Sequence, residues 1–201
     1  MKFVIVSGSH REGSQTLRVC KYISSVLSSK QIESTIWDLY SSPLPFLESS
    51  DAEDDSGIEI IQKFTATLTD ADAYVYASPE WDGAATPGTM NALALAEQNI
   101  AHKPTLLVAV SASRGGSYPI AQMKAFGSKN NKTVFVPDHI IVHDVKDVLA
   151  QNPTQEKADI YIRERIDWSL DNLILYAKSL KKMRESNHKQ LFDDRFGNGM
   201  S

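Results

Sequence analysis

The sequence predicts an α/β fold built on a parallel β-sheet. Short apolar segments that suit strands alternate with amphipathic segments that suit helices, at a spacing of about thirty residues, the length of a βαβ unit. The strand segments are unbroken apolar runs, as expected for strands buried on both faces. Three of them end in loops rich in Ser, Gly and Pro. Because right-handed crossovers place the carboxyl ends of parallel strands along one sheet edge, these loops should meet there.

The first βα unit shows the pattern most clearly. An apolar run at residues 3–6 is followed by a polar loop over residues 7–14 and then by a helix. Ser14 is placed to cap that helix, because its hydroxyl can accept from a free amide of the first turn. The apolar positions of the helix fall on one stripe, formed by Leu17, Cys20, Ile23, Val26 and Leu27.

The same alternation continues along the chain. The later strands are predicted at residues 33–39, 73–77 and 105–110, with a last strand and its continuation at 133–136 and 140–142. The later helices are predicted near residues 58–69, 87–97, 120–126 and 162–180. Thr86 and Pro87 read as an N-cap and a first helical residue, and Gly127 as a C-cap. Residues 48–57 read as a solvated acidic loop and residues 78–85 as a loop that follows the third strand.

Composition limits the class of protein. The chain has 201 residues, a net charge of −4 and 42% hydrophobic residues, which suits one globular domain and argues against nucleic acid or an anionic membrane as partner. No apolar run approaches the length of a membrane span. A single cysteine excludes an internal disulfide, and together with the lack of a signal peptide it predicts a cytoplasmic protein. No metal site is predicted.

The loop after the first strand predicts an anion site. Small residues at the N-terminus of a helix leave backbone amides and the positive end of the helix dipole free for a phosphate. Hydroxyls of Ser9, Ser14 and Thr16 and the guanidinium of Arg11 can add donors. The loop has neither the P-loop lysine nor the G-x-G-x-x-G spacing. Taken alone, it fits an ordinary Ser/Gly-rich turn about as well.

Three motifs together resemble the NADPH-dependent FMN reductase family, which has a flavodoxin-like fold. The first loop matches the family's G-S-x-R-x-x-S pattern at Gly8, Ser9, Arg11 and Ser14. The run at 79–83, with Pro87 and Asn91-Ala92-Leu93 after it, is similar to the family's P-E-Y-N-G, proline and N-A-L segments. The Ser/Gly-rich loop at 111–116 is similar to the family's third loop.

The resemblance implies a three-layer sandwich with a five-stranded parallel sheet, order 2-1-3-4-5, and helices on both faces. It also implies bound FMN, with NADPH or NADH as co-substrate. The implied cofactor-binding residues are Ser9, Arg11, Ser14, Gln15 and Thr16 for the phosphate, with Pro79, Glu80, Trp81, Asp82, Gly83, Ser111, Ser113, Gly115 and Gly116 for the ring. No residue is assigned a catalytic role, since hydride chemistry belongs to the flavin.

The function implied is hydride transfer from NAD(P)H through FMN to a small acceptor, which could be a flavin, a quinone, an azo compound or a metal ion. Two alternatives remain: a flavin-binding electron carrier or regulator, and a flavin-free module that keeps only the phosphate loop. Trp81 and Asp82 depart from the family's Tyr and Asn, which leaves the substrate and the ease of flavin reduction open. The resemblance also implies a homodimer or homotetramer.

The predicted domain organisation is a flavodoxin-like FMN-binding domain over residues 1–184 and a C-terminal tail over 185–201. The tail mixes charged residues with Leu191, Phe192 and Phe196. Its composition fits either disorder or docking at a subunit interface.

Overall fold

The computed structural model describes residues 1–193 and consists of a twisted sheet between two helical layers. The strands are β1 Lys2–Ser7, β2 Glu33–Asp38, β3 Ala73–Trp81, β4 Ala84–Ala85, β5 Pro104–Val110 and β6 Val134–Val142. The α-helices are α1 Gln15–Ser29, α2 Ser50–Glu53, α3 Asp55–Thr69, α4 Pro87–Leu95, α5 Ser117–Phe126, α6 Lys157–Ser186 and α7 His188–Leu191, with a 3₁₀ turn at Glu97–Ile100.

The sheet confirms the predicted fold class. Five strands run parallel in the order β2-β1-β3-β5-β6, which is the flavodoxin-like order once the two-residue β4 is set aside. β4 is the difference from the prediction, since it pairs antiparallel with the end of β3 and makes the strand count six. β6 is one continuous strand with a bulge opposite the segment between Thr105 and Leu107, where the sequence suggested a strand and its continuation.

Each face of the sheet buries its own apolar cluster. Phe3 and Ile5 of β1 face α1 and α6, while Val4 and Val6 face the layer of α3, α4 and α5. Cys20 of α1 is buried in the first cluster, as predicted, and burial raises the pKa of its thiol to about 12. The thiol is therefore protonated at neutral pH and acts as a small core residue.

Local capping signals in the sequence are confirmed. The Ser14 hydroxyl accepts from the Leu17 amide at 3.0 Å, and the Thr86 hydroxyl accepts from the Thr89 amide at 3.3 Å with Pro87 at the first helical position. Gly127 follows α5 and donates its amide to the Met123 carbonyl. Such caps depend on residues a few positions apart, which is why sequence alone reveals them.

Two segments predicted as loops contain regular structure. Residues 48–57 include α2 and the start of α3, because the Asp54 carboxylate accepts from the Gly57 amide at 2.6 Å and caps α3. Residues 78–85 form a β-hairpin, because Asp82 and Gly83 both adopt the positive φ that a tight two-residue hairpin turn requires.

The C-terminal region begins with the predicted long helix. α6 continues to Ser186, and α7 follows after Asn187. The Phe192 ring contacts His102 edge-on and stacks on His188, so residues 185–193 contact the domain rather than extend away from it. The rest of the predicted tail, residues 194–201, lies outside the described residues. Within residues 1–193, no helix has the length and apolar character needed to cross a bilayer.

Asp159 fixes the connection between β6 and α6. It is fully buried and accepts from the amides of Leu149 and Thr154, at 2.6 and 2.8 Å, and from Arg163 Nε at 3.0 Å. Burial alone would raise the pKa of Asp159, but the hydrogen bonds from Arg163, Thr154 and Leu149 lower it from 3.8 to about 2. The carboxylate therefore stabilises the folded state when it is ionised.

We predict that Asp159→Asn lowers the free energy of unfolding at neutral pH by about 3 kcal/mol, because it leaves the half-buried Arg163 guanidinium and two amides badly paired. The folded pKa lies below the unfolded one, so the contribution is complete above pH 3.8 and is lost as the pH falls through about 2. Urea unfolding at a series of pH values measures it. The exposed Asp167→Asn on the same helix is the control, and equal stability of both variants at neutral pH would contradict the assignment.

Candidate functional site

A cleft of about 410 Å³ opens at the carboxyl edge of the sheet, where the loops after β1, β3, β5 and β6 meet. Eight of the fourteen predicted cofactor-binding residues line it: Ser9, Arg11, Ser14, Gln15, Thr16, Pro79, Glu80 and Trp81. The structure therefore brings the predicted phosphate loop and the first half of the second loop into one site.

The first loop is held in place by its neighbours. The Gly8 amide donates to the Ala77 carbonyl at 2.8 Å, and the Thr86 hydroxyl donates to the Gly8 carbonyl at 2.7 Å. Ser9 is buried, and its Oγ accepts from the Arg11 amide at 3.3 Å. β3 and the N-cap of α4 thus position the loop, so its shape does not depend on a ligand.

The N-terminus of α1 lies at the cleft, which Ser14, Gln15 and Thr16 line. The first amides of α1 that have acceptors are those of Leu17, bonded to the Ser14 hydroxyl, and Arg18, bonded to the Ser14 carbonyl. The amides of Gln15 and Thr16 lie before them, in the first turn, where an α-helix offers no internal acceptor. An anion in the cleft can accept from these amides and from the positive end of the helix dipole.

Arg11 makes a contact that the sequence did not predict. Its guanidinium stacks over the Trp81 ring, 4.9 Å from the ring centroid, and so connects the first loop to the second. Arg11 is exposed and lines the same cleft, and the Trp81 side chain is half-buried. A cation over an aromatic face is favourable by about 0.5–1 kcal/mol at exposed sites, so the contact is weak enough for Arg11 to exchange it for a phosphate.

The second loop is the β3–β4 hairpin. Pro79, Glu80 and Trp81 lie on its first strand and line the cleft, whereas Asp82 and Gly83 form the turn at its tip, outside the lining. Asp82 is exposed there. The Ala85 amide donates to Gln122 Oε1 of α5 at 2.8 Å, which ties the hairpin to the helix that follows the third loop.

The third loop contributes a single residue to the cleft lining. Its four predicted residues, Ser111, Ser113, Gly115 and Gly116, do not line the cleft, but Ala112 does. A Cβ at position 115 would overlap the Glu80 carboxylate as it lies in the structure, so the third loop approaches the hairpin closely at this side chain. Gly116, with a φ of 109°, is the N-cap of α5.

Sequence reasoning missed six lining residues: Glu12, Gly13, Val110, Ala112, Val145 and Lys146. Val145 and Lys146 come from the loop between β6 and α6, which is a fourth strand-end loop. Lys146 comes just after the last predicted strand. Because the loops that follow parallel strands lie at the carboxyl edge of the sheet, this position was a sequence signal that Lys146 lies near the cleft.

The residues at this edge fit the two halves of FMN. Free amides, three hydroxyls and two cations suit a phosphate dianion. Trp81, Pro79, Val110 and Ala112 provide apolar wall for a flat ring, and Glu80 adds a polar group beside it. Among residues 1–193, no group of three or more His, Cys, Asp or Glu side chains is arranged to hold a metal ion.

Comparison with known proteins agrees with this geometry. Residues 1–147 match the family described as NADPH-dependent FMN reductase. An NADPH azoreductase from Bacillus sp. (strain OY1-2) is 30% identical over 127 residues, which cover 62% of this chain and 67% of that protein. An FMN-dependent NADPH-azoreductase from Staphylococcus saprophyticus is 25% identical over 182 residues, covering 89% and 96% of the two chains.

Solved structures support the fold. The flavoenzyme NAD(P)H:(acceptor) oxidoreductase FerB from Paracoccus denitrificans superposes with a TM-score of 0.66 at 16% identity, over 89% of this chain and 97% of that one. At that identity the likeness concerns the fold. The family match spans the first loop, the β3–β4 hairpin, the third loop and Lys146, and so includes every residue that lines the cleft. The chain belongs to the NADPH-dependent FMN reductase family.

Proposed function

We propose that the protein transfers hydride from NAD(P)H through bound FMN to a small organic acceptor, with azo compounds and quinones as the first classes to test. The observation that carries this proposal is the convergence of the strand-end loops on one cleft, with the N-terminus of α1 at its polar end and Trp81 at its apolar wall. Azo compounds are placed first because two relatives are named azoreductases.

In this proposal the first loop holds the FMN phosphate. The hydroxyls of Ser9, Ser14 and Thr16 and the amides of Gln15 and Thr16 donate to it, and Arg11 supplies positive charge. Because the loop is already fixed to β3 and α4, little ordering entropy is lost when the phosphate binds. FMN supplies the hydride-accepting chemistry when bound, and the protein supplies binding, orientation and a partly apolar surrounding.

The hairpin and third loop hold the ring. Pro79, Glu80 and Trp81 face the cleft and would lie against the isoalloxazine, with the third loop beside it. The other predicted ring residues would support the site without lining it. Asp82 and Gly83 form the hairpin turn that follows Trp81, and the carbonyls of Ser111 and Ser113 accept from the β6–α6 loop. Gly115 leaves room for the Glu80 side chain, and Gly116 is the N-cap of α5.

We also propose that residues 1–184 form the FMN-binding domain and that the protein acts as a homodimer or homotetramer. In support, the rings of Tyr118 and Phe126 on α5 are 72% and 74% exposed, and a Cβ on Gly83 at the hairpin tip would lie 3.7 Å from Tyr118. An exposed aromatic surface so near the cleft is a natural place for a partner subunit.

The alternative function is a flavin-binding electron carrier or regulator that does not react with nicotinamides. The Arg11–Trp81 stack is the observation that favours it, because the stack lies at the cleft, where a nicotinamide ring would have to pass. The two functions differ in whether NAD(P)H reduces the flavin.

We predict that anaerobic NADPH or NADH bleaches the visible absorbance of the FMN-loaded protein, and that adding an azo compound or a quinone restores it. Stopped-flow absorbance measures both half-reactions, and free FMN under the same conditions is the control. If the protein binds FMN but its flavin stays oxidised with both nicotinamides, the reductase function is wrong and the electron-carrier function is favoured.

We also predict that Arg11→Ala weakens FMN binding by about tenfold to a hundredfold, the value of a charge-assisted contact, and leaves riboflavin binding nearly unchanged. Quenching of flavin fluorescence on titration gives both affinities. Arg114→Ala is the matched control, since Arg114 is an exposed arginine of the third loop outside the cleft lining. An equal loss for FMN and riboflavin would place Arg11 away from the phosphate.

A further inference from the structure

Lys146 is a second cation in the cleft, and it comes from a loop that carries none of the three family-like motifs. It lines the same cleft as Arg11, Ser14, Gln15 and Thr16, and the Arg18 guanidinium of α1 contacts the carbonyl of its neighbour Val145, which brings the Lys146 backbone close to the start of α1. It follows β6, whereas Arg11 follows β1, so the two cations reach this end from strands at different positions in the sheet.

The backbone that carries Lys146 is fixed on the side of the third loop. The Val145 amide donates to the Ser111 carbonyl and the Asp144 amide donates to the Ser113 carbonyl, both at 3.1 Å. The Ser111 amide in turn donates to the Val142 carbonyl at 2.9 Å. These three bonds hold the start of the β6–α6 loop against the loop after β5, and so fix the backbone just before Lys146.

The same loop is fixed to α1 by one side chain. The Arg18 guanidinium donates to the carbonyls of Val145, Val148 and Leu149, and its Nε donates to Gln15 Oε1 at 2.7 Å. Arg18 therefore joins the first turn of α1 directly to the residues around Lys146. Four of its five N–H donors are used in these bonds, and Arg18 does not line the cleft, so it can affect the cleft only through the residues that it holds.

The charge of the cleft shows why a second cation matters. The other ionisable side chains that line it are Arg11, Glu12 and Glu80, with a formal sum of −1, and Lys146 brings the sum to zero. A phosphate dianion placed beside two carboxylates with only one cation would meet net repulsion. Arg11 is also stacked on Trp81, whereas Lys146 forms neither a salt bridge nor a cation–π contact within residues 1–193.

We infer that Lys146 is a phosphate-binding residue for FMN, and that Arg18 is the positioning residue that holds the Lys146 loop against the N-terminus of α1. The inference rests on the proposed function, since it names a further residue of the same cofactor site. It makes the β6–α6 loop a determinant of the preference for FMN over riboflavin, in addition to the first loop.

The test compares dissociation constants for FMN and riboflavin in the wild-type protein, Lys146→Met and Lys146→Arg, by fluorescence quenching. Lys146→Met should weaken FMN binding about tenfold or more, leave riboflavin binding within about twofold and flatten the dependence of FMN affinity on salt. Lys146→Arg should keep the FMN preference, because it restores the charge. Lys178→Met, on the exposed face of α6, is the matched control and should change neither constant.

A double-mutant cycle tests Arg18. Arg18→Met should lower the FMN preference when Lys146 is present and should add little in the Lys146→Met background, because the effect runs through Lys146. A purely structural role would lower FMN and riboflavin affinity together in both backgrounds. Arg18→Lys, which keeps the charge but loses the three-carbonyl contact, serves if Arg18→Met does not fold.

The outcomes separate this inference from the proposed function. Wild-type FMN preference in Lys146→Met, or equal loss of FMN and riboflavin binding, overturns the inference and leaves the reductase function standing. A wild-type protein that binds neither flavin overturns both.

Discussion

The interior position of β1, between β2 and β3, is the constraint on which the site depends. β1 pairs with β2 on one side and, from Phe3 to Ser7, with β3 on the other, so its end and the N-terminus of α1 lie between neighbouring strands at the carboxyl edge. The Gly8–Ala77 and Thr86–Gly8 hydrogen bonds then fix the first loop against β3 and α4. A phosphate site shaped by core packing needs little rearrangement to bind its ligand.

Two charged groups, the half-buried Arg18 and the buried Asp159, fix the loop that follows the last strand of the sheet. Arg18 joins α1 to the carbonyls of the β6–α6 loop, and Asp159 joins the amides of the same loop to α6. Both are long-range or loop contacts that a hydrophobic core could not supply, because they satisfy backbone groups that lack partners in regular structure. The β6–α6 loop, the fourth segment that contributes to the cleft, is therefore held by hydrogen bonds to charged side chains.

Sequence patterns predicted the parts of the molecule that depend on nearby residues. The strands, the caps at Ser14 and Thr86 and the polar first loop follow from local periodicity and side-chain chemistry. The β3–β4 hairpin was missed although Asp82-Gly83 is a known turn signal, because Pro79 argues against a strand. Lys146 follows the last predicted strand, but the contact between its loop and Arg18, which lies 127 residues from Val145 in sequence, could not be predicted. No local pattern reports a contact of that range.

The most direct test of the account is a crystal structure of the protein with FMN. We expect the phosphate at the N-terminus of α1, within hydrogen-bond distance of the Ser14 and Thr16 hydroxyls and of Lys146 Nζ, and the ring against Trp81. FMN bound elsewhere, for example at the amino edge of the sheet beside Lys103 and Arg184, would contradict it.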